Sequence, residues 1–215
     1  FAGGNRFIYY SAEQARNRDV RGPDFFAVLG IDGSSPRQGW VVWNEGGRYP
    51  DVIIELMSSS TANIDVTAKK DLYQNTFRTP DYFVYNPFDP SSLQGWHLNG
   101  TQDYQELSPN ERGWLWCETL GFWVGVWEGT IQRETAPWLR FFDPEGNLVL
   151  LSAEAERQQA EAERQRAEQF QQRAEQAELA QQRAIPRLLA NGMTVEEVAE
   201  VLSLSVEVVQ QEATE

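Results

Sequence analysis

The chain has 215 residues and is 41% hydrophobic with 8 Trp, enough to fill a sizeable core in one compact domain with additions. Its formal charge of -14 disfavours a nonspecific polyanion binder, although an acidic site loaded with a cation is compatible with it. The single cysteine, Cys117, excludes an intramolecular disulfide, and with a single histidine, His97, no Cys/His zinc cluster can form. Any metal must therefore be held mainly by carboxylates and carbonyls, which favours Mg²⁺ or Mn²⁺.

The ends and the hydropathy of the chain set a second group of expectations. The chain begins at Phe1 rather than at methionine, so we treat it as a fragment that lacks upstream sequence. No stretch reaches the apolar length of a membrane span, and no signal-like segment is visible. We therefore expect a cytoplasmic protein without a membrane partner.

The first fifty residues predict three short strands separated by turns. One strand ends at Tyr10, a second covers Asp24 to Ile31, and a third covers Trp40 to Trp43. Asp32-Gly33 and Glu45-Gly46-Gly47 are typical turn sequences between them.

The stretch that follows predicts a βαβ unit. Two short apolar runs, Asp51 to Leu56 and Tyr82 to Tyr85, flank a helical pattern. Such a unit implies two neighbouring parallel strands and a right-handed crossover, so the core is predicted to be mixed α/β rather than doubly wound. Residues 89–138 predict short antiparallel strands, and residues 139–151 predict a hairpin that turns at Asp143 to Asn147.

The composition changes sharply at Ser152. Residues 153–180 form four successive seven-residue repeats rich in Ala, Glu, Gln and Arg, which predict a helix with coiled-coil periodicity. The predicted seam is weak, because one of its two positions carries only alanine and the other carries Glu156, Glu163, Phe170 and Ala177. A dimerising helix and a solvated single helix both fit this pattern.

A further helical segment is predicted from Pro186 onward, which divides the chain into 1–151, 152–185 and 186–215. Thr194 with Glu197 forms a capping box, and Ser205 caps a last helix, a spacing typical of a helix-turn-helix. These two helices carry five glutamates and no Lys or Arg. Reading of DNA by this segment is disfavoured for that reason, and a protein-interaction or packing element is preferred.

Acidic residues at predicted strand ends form the candidate site. Asp24 and Asp51 each open a strand, and Glu55 lies within the second strand, where an apolar residue is expected. Two carboxylates on neighbouring strands can clamp a divalent cation against a backbone carbonyl and leave positions for water and a phosphate. Each aspartate also fits a plain turn or edge role, because each follows a proline.

The predicted helix adds a lysine to this site. Asp65, Lys69 and Tyr73 recur at i, i+4 and i+8 and therefore share one face. If this face meets the Glu55 strand, Lys69 can orient the attacking water or stabilise charge on a phosphate, whereas Lys70 points about 100° away. A simple buried Glu55–Lys69 ion pair and a packing role for Tyr73 explain the same residues. His97 is expected in a loop and Cys117 in the core.

Five ordered blocks of sequence resemble the Uma-two family of restriction-type endonucleases, which belongs to the PD-(D/E)XK nuclease superfamily. The blocks are RNRDVRGPDFFAVLG, WVVWNEGGRYPDVIIELMSSSTANIDVTAKKDLY, TPDYFVYNPFDP, GWLWCETLGFWVGVWEG and WLRFFDPEGNL, and they lie within residues 1–150. The resemblance implies a restriction-endonuclease-like mixed α+β core with a mixed β-sheet, followed by a long helix and a small helical segment. It also implies Mg²⁺-dependent (or Mn²⁺-dependent) hydrolysis of DNA phosphodiester bonds.

The resemblance also implies roles for individual residues. By position, Asp24 is similar to the motif aspartate and Glu55 to the motif glutamate, which bind the metal in this superfamily, with the Leu56 carbonyl as a candidate further ligand. Met57 stands where the superfamily usually has its lysine, so the resemblance implies that Lys69 has taken over this role. The supporting residues are expected to be Asp51, Asp65 and Tyr73.

A function of another class fits the same sequence. A catalytically inactive protein could keep the nuclease fold and join protomers through its seven-residue repeats. DNA and a second copy of the chain are thus the expected partners. Metal binding that depends on Glu55 would separate the nuclease from the assembly protein.

Overall fold

The computed structural model describes residues 1–11, 13, 20–58 and 62–213. The chain forms two compact units, Phe1–Val149 and Leu150–Glu215. In the described part of the chain, the first unit contains the strands and the second is helical. The strands in chain order are β1 (Ala2–Gly4), β2 (Ile8–Tyr9), β3 (Phe25–Ala27), β4 (Trp40–Val41), β5 (Val52–Leu56), β6 (Asp81–Asn86), β7 (Asp89–Leu98), β8 (Tyr104–Glu106), β9 (Leu115–Cys117), β10 (Phe122–Ile131) and β11 (Glu134–Phe142).

The first unit is built on a six-stranded mixed sheet with the order β1-β3-β5-β6-β7-β8. The central strands β5 and β6 run parallel, and the other neighbouring pairs are antiparallel. Val52 lies beside Asp81 and Leu56 beside Tyr85, which confirms the predicted βαβ unit. Both strands are buried over nearly their whole length, as expected for central parallel strands that are covered on both faces.

The helix between β5 and β6, residues 62–77, is named α1 and alternates between α-helical and π-helical turns. Ala62–Ile64 and Lys70–Leu72 are α-helical, whereas Asp65–Lys69 and Tyr73–Phe77 form π-helical turns. The helix ends at Arg78, which adopts a left-handed conformation with φ of 56°. Short π segments inside helices are frequent at functional sites.

Two apolar clusters cover the two faces of the main sheet. On the α1 face, Tyr73 and Phe77 pack with Ile53 and Val84. On the opposite face, Ile54 and Phe83 pack with residues of a second sheet, which has the strand order β11-β10-β9. Alternation along β5 thus sends Ile53 and Glu55 to the α1 face and Ile54 to the other.

Several elements are shorter than, or differ from, those predicted. Strand β3 ends at Ala27 instead of Ile31, and the run beginning at Trp40 turns into a 3-10 helix, Val42–Asn44, after two strand residues. The hairpin expected over 139–151 is reduced to a single bridge, Phe142 to Leu148, around the predicted turn. His97 lies in strand β7, so its expected place in a loop is wrong, while Cys117 is buried as expected.

The second unit consists of α2 (Ser152–Ala190), α3 (Val195–Leu202) and α4 (Val206–Glu212). The Thr194–Glu197 capping box and the Ser205 cap are present as predicted. Helix α2 continues through Pro186, where the sequence predicts a new segment. Proline removes one helical hydrogen bond, and burial of the adjacent Ile185 against α3 and α4 offsets that loss.

The mixed α+β core and the long C-terminal helix agree with the predicted fold class. Among the helices of the described residues, none combines the length and the apolar character needed to cross a membrane.

Candidate active site

The candidate site is centred on Glu55, a buried carboxylate in a strand that is otherwise apolar. Glu55 is 2% exposed, and it faces helix α1. Its Oε1 accepts a hydrogen bond of 2.8 Å from the Tyr73 hydroxyl, and its Oε2 lies 3.0 Å from the Lys69 ammonium. Burial raises the pKa of Glu55, and the opposing effects of Lys69 and Tyr73 do not cancel this rise. Glu55 therefore resists ionisation unless a cation is close.

The ammonium of Lys69 is that cation, and it contacts two acids. Its Nζ lies 2.7 Å from Asp65 Oδ1 as well as 3.0 Å from Glu55 Oε2. Burial lowers the pKa of Lys69, but the contacts with Asp65 and Glu55 outweigh this effect and raise the pKa overall. Lys69 thus stays an ammonium ion, and with both acids ionised the three side chains carry a net charge of -1.

Asp65 is fully buried, and its carboxylate oxygens do not all have hydrogen-bond partners among the described residues. One oxygen, Oδ1, meets the Lys69 ammonium, whereas Oδ2 has no hydrogen-bond partner among the described residues. A buried carboxylate oxygen without a partner is costly, since it has lost water and gained nothing in return. Asp65 therefore offers an acceptor for a further donor or a cation.

Asp24 directly precedes strand β3, which is the neighbour of the strand that carries Glu55. Phe25 pairs with Ile54, and one further step of the same register places Asp24 opposite Glu55. Asp24 Oδ2 accepts a hydrogen bond of 2.7 Å from the Leu56 backbone N–H. In an antiparallel ladder the N–H and carbonyl of one residue face the same neighbour, so the Leu56 carbonyl also faces the Asp24 side. Asp24, Glu55 and Leu56 thus meet at one edge of the sheet.

Asp51 is not part of this arrangement. It lies four residues before Glu55, which corresponds to about 13 Å along an extended strand. Its Oδ2 accepts a hydrogen bond of 2.7 Å from the Leu29 N–H and lies 3.6 Å from an Arg48 nitrogen. These contacts fit the structural role that the sequence also allowed, because they close the opposite end of strands β3 and β5.

Helix α1 separates the two lysines as the sequence predicts. Lys69 faces the acids, whereas Lys70 Nζ lies 4.1 Å from the centre of the Trp96 ring. Asp65, Lys69 and Tyr73 share one face of α1 as predicted, although part of this helix is π-helical. Lys69 and Tyr73 contact Glu55 directly, and Asp65 contacts Lys69.

The carboxylates do not form a closed metal cage by themselves. Within the part of the chain that the structure describes, no group of three or more His, Cys, Asp or Glu side chains is placed to hold a metal ion. The sequence pattern indicated only a supporting role for Asp65. In the structure, however, Asp65 lies 2.7 Å from the Lys69 ammonium, closer than Glu55 at 3.0 Å. Its position at i-4 from Lys69 was the available signal.

Comparison with known proteins identifies the family. A family model described as "Uma2: Putative restriction endonuclease" matches residues 2–132, more than half of the chain. No curated protein matches the chain. The matched range contains Asp24, Glu55 and Lys69, and the mixed sheet with its long C-terminal helix is consistent with a restriction-endonuclease-like fold. The chain therefore belongs to the Uma-two family.

Proposed function

We propose that the chain is a divalent-metal-dependent endonuclease that hydrolyses DNA phosphodiester bonds. The observation that carries this proposal is the buried Glu55–Lys69–Asp65 cluster, which lies at the sheet edge shared with Asp24. Two strand-borne acids can hold a divalent cation, and a lysine beside them can stabilise the charge that develops on a phosphate. The family description supports the class of reaction, and DNA is the substrate that the class implies.

Mg²⁺ or Mn²⁺ fits the residues present. Asp24, Glu55 and the Leu56 carbonyl would hold it, and water and a phosphate would complete the oxygen ligands that these ions prefer. A bound cation would stabilise the ionised form of Glu55, which burial disfavours, and Oδ2 of Asp65 offers a further acceptor without a partner among the described residues. When bound, the ion would stabilise charge on the phosphate and lower the pKa of a water molecule.

The protein's own side chains would prepare the site. Lys69 keeps its proton because its pKa is raised, so it would donate hydrogen bonds to the attacking water or to a phosphate oxygen rather than act as a base. Asp65 would hold the ammonium of Lys69 at 2.7 Å, and Tyr73 would fix the orientation of Glu55 through their 2.8 Å hydrogen bond. Asp51 closes the far end of the strands and has a structural role only.

Calorimetric titration with Mn²⁺ tests the metal site. The parent chain and Glu128→Gln, an exposed change on strand β10, should bind the ion, whereas Glu55→Gln should not. The glutamine keeps the size of the side chain and removes only the negative charge. Equal binding by all three proteins would show that Glu55 does not hold the metal, and the proposal would fail.

We also propose that α2 joins two copies of the chain. Residues 155–180 are exposed throughout, including Phe170, which is 76% exposed at a seam position of the seven-residue repeats. Most of the stability of helices in proteins comes from tertiary packing, so burial of this face against a second copy would stabilise α2. This assembly would also serve the alternative function, an inactive nuclease-fold protein that organises partners.

Sedimentation equilibrium tests the assembly without truncating the chain. Phe170→Glu places a charge in the seam and should dissociate a dimer, whereas Gln172→Glu adds the same charge outside the seam and should leave it intact. A parent chain that sediments as a monomer would exclude the dimer at the concentrations used.

A further inference from the structure

A cavity of about 330 Å³ lies between the segment that precedes strand β3 and helix α1. Its walls are formed by Val20, Arg21 and Gly22 on one side and by Ile64, Ala68 and Lys69 on the other. Two of these six residues, Arg21 and Lys69, are cationic. The proposed nuclease chemistry uses Lys69, but neither the cavity nor Arg21 has a role in it so far.

The cavity adjoins the candidate active site through Lys69. Lys69 lines the cavity, and its ammonium contacts Glu55 and Asp65 at 3.0 and 2.7 Å. Arg21 precedes Asp24 by three residues, so both residues belong to the same segment. Its charge also acts on the cluster: burial raises the pKa of Tyr73, the hydrogen-bond donor to Glu55, and the Arg21 charge opposes that rise.

The backbone of Arg21 is fixed by strand β2. Its N–H donates to the Ile8 carbonyl at 3.2 Å, and its carbonyl accepts from the Ile8 N–H at 2.6 Å. Its guanidinium donates to the Val20 carbonyl at 3.1 Å and lies 5.9 Å from the centre of the Tyr10 ring. The backbone of Arg21 is thus anchored to strand β2 at the wall of the cavity.

Charge in this region identifies the ligand. Asp24, Glu55 and Asp65 carry three negative charges when ionised, and Lys69 and Arg21 carry two positive charges, so these five side chains sum to -1. A divalent cation at the proposed metal site would leave the region with a positive charge of one. A phosphodiester group, with one negative charge, complements such a region, and a guanidinium can donate two parallel hydrogen bonds to its oxygens.

We propose that this cavity receives a backbone phosphate of the DNA substrate and that Arg21 binds it together with Lys69. This inference rests on the proposed nuclease function and extends it with a phosphate-binding residue. Because the chain has an overall charge of -14, binding of a polyanion has to rely on local cationic contacts of this kind.

The salt dependence of DNA binding tests the contact. Fluorescence anisotropy of a labelled 30-base-pair duplex, measured with CaCl₂ over a series of NaCl concentrations, gives the slope of log affinity against log salt. Arg21→Gln should weaken binding about tenfold, because it removes one charged hydrogen-bonding contact. It should also reduce the slope by about 0.9, the value for one neutralised phosphate, whereas Arg21→Lys should keep the slope.

Two further variants separate charge at the cavity from damage to the fold. Ala68→Glu places a carboxylate on an exposed cavity wall and should weaken binding, whereas Ala68→Gln should not. Arg48→Gln removes an arginine at the Asp51 end of β5 and should leave the slope unchanged. A slope for Arg21→Gln equal to that of the parent would overturn the phosphate contact.

The same experiment distinguishes this inference from the function on which it rests. A parent chain that binds and cleaves DNA with unaltered behaviour in both Arg21→Gln and Ala68→Glu would refute the cavity assignment alone. A parent chain that neither binds nor cleaves DNA would refute the nuclease function and the phosphate site together.

Discussion

Replacement of Lys69 by methionine should destabilise the first unit in a way that depends on pH. Methionine keeps the unbranched apolar stem and removes only the ammonium that lies 2.7 Å from Asp65 and 3.0 Å from Glu55. The two carboxylates, which are almost fully buried, would then share a site without a cation. Removal of one partner from a buried ion pair typically costs about 3–5 kcal/mol. Because the Lys69 side chain is 24% exposed, we expect a loss of about 3 kcal/mol at pH 8.

Protonation of Glu55 makes this loss smaller in acid. Burial already raises the pKa of Glu55 above its usual value of 4.5, and removal of Lys69 takes away the largest effect that opposes the rise. A carboxyl group whose pKa is higher in the folded state stabilises the fold below its unfolded pKa, and this contribution disappears as the pH rises through the folded pKa. The deficit of Lys69→Met should therefore be smaller at pH 5 than at pH 8.

Urea unfolding followed by tryptophan fluorescence measures this deficit in the first unit alone. All 8 Trp lie between Trp40 and Trp138, so the signal reports on that unit and not on the helical one. Lys70→Met is the matched control, since Lys70 faces the Trp96 ring and has no contact with Glu55 or Asp65 in the described structure. A loss below about 1 kcal/mol at pH 8, or an equal loss at both pH values, would refute the account of the cluster.

Three further predictions follow from the same geometry. Tyr73→Phe removes the 2.8 Å hydrogen bond to Glu55 but keeps the ring packing, so the free energy of unfolding should fall by about 1.5–3 kcal/mol in urea titrations; an unchanged midpoint would contradict the hydrogen bond. The affinity for Mn²⁺ in calorimetry should fall on acidification with a midpoint above pH 4.5, because burial raises the pKa of Glu55; a midpoint at the usual value would contradict that shift. Asp24→Asn keeps an oxygen for the Leu56 N–H but loses a charge, so it should retain the thermal midpoint and lose Mn²⁺ binding. Asp51→Asn should retain Mn²⁺ binding, since the contacts of Asp51 lie at the other end of β5. Loss of Mn²⁺ binding by Asp51→Asn but not by Asp24→Asn would contradict the roles assigned to these two residues.

Local patterns predicted the parts of the fold that depend on neighbouring residues. The two apolar runs on either side of a helix identified the parallel pair β5 and β6, since only a crossover can join parallel strands. The i, i+4 spacing placed Lys69 beside Asp65, and the polar residue in an apolar strand marked Glu55. The Lys69–Glu55 contact followed because the helix returns across the strand that precedes it.

The features that the sequence did not predict depend on contacts between residues far apart in the chain. Strand β1 forms only because Ala2 to Gly4 pair with β3, more than twenty residues away, and the three residues themselves have no strand pattern. Asp51 looked similar to Asp24 in sequence, since each follows a proline, but the antiparallel course of β3 and β5 sends them to opposite ends. Arg21 drew no attention because its partner in the cavity wall, helix α1, lies more than forty residues further along the chain.

Cleavage of supercoiled plasmid with Mg²⁺ or Mn²⁺ tests the central claim most directly. The parent chain, Glu55→Gln, Lys69→Met and the exposed-site control Glu128→Gln should be purified identically and compared at equal concentration. The account predicts nicked or linear product from the parent and Glu128→Gln, no product from Glu55→Gln or Lys69→Met, and none from the parent in EDTA. Equal cleavage by all four proteins, or no cleavage by the parent on single-stranded and double-stranded DNA, would contradict it.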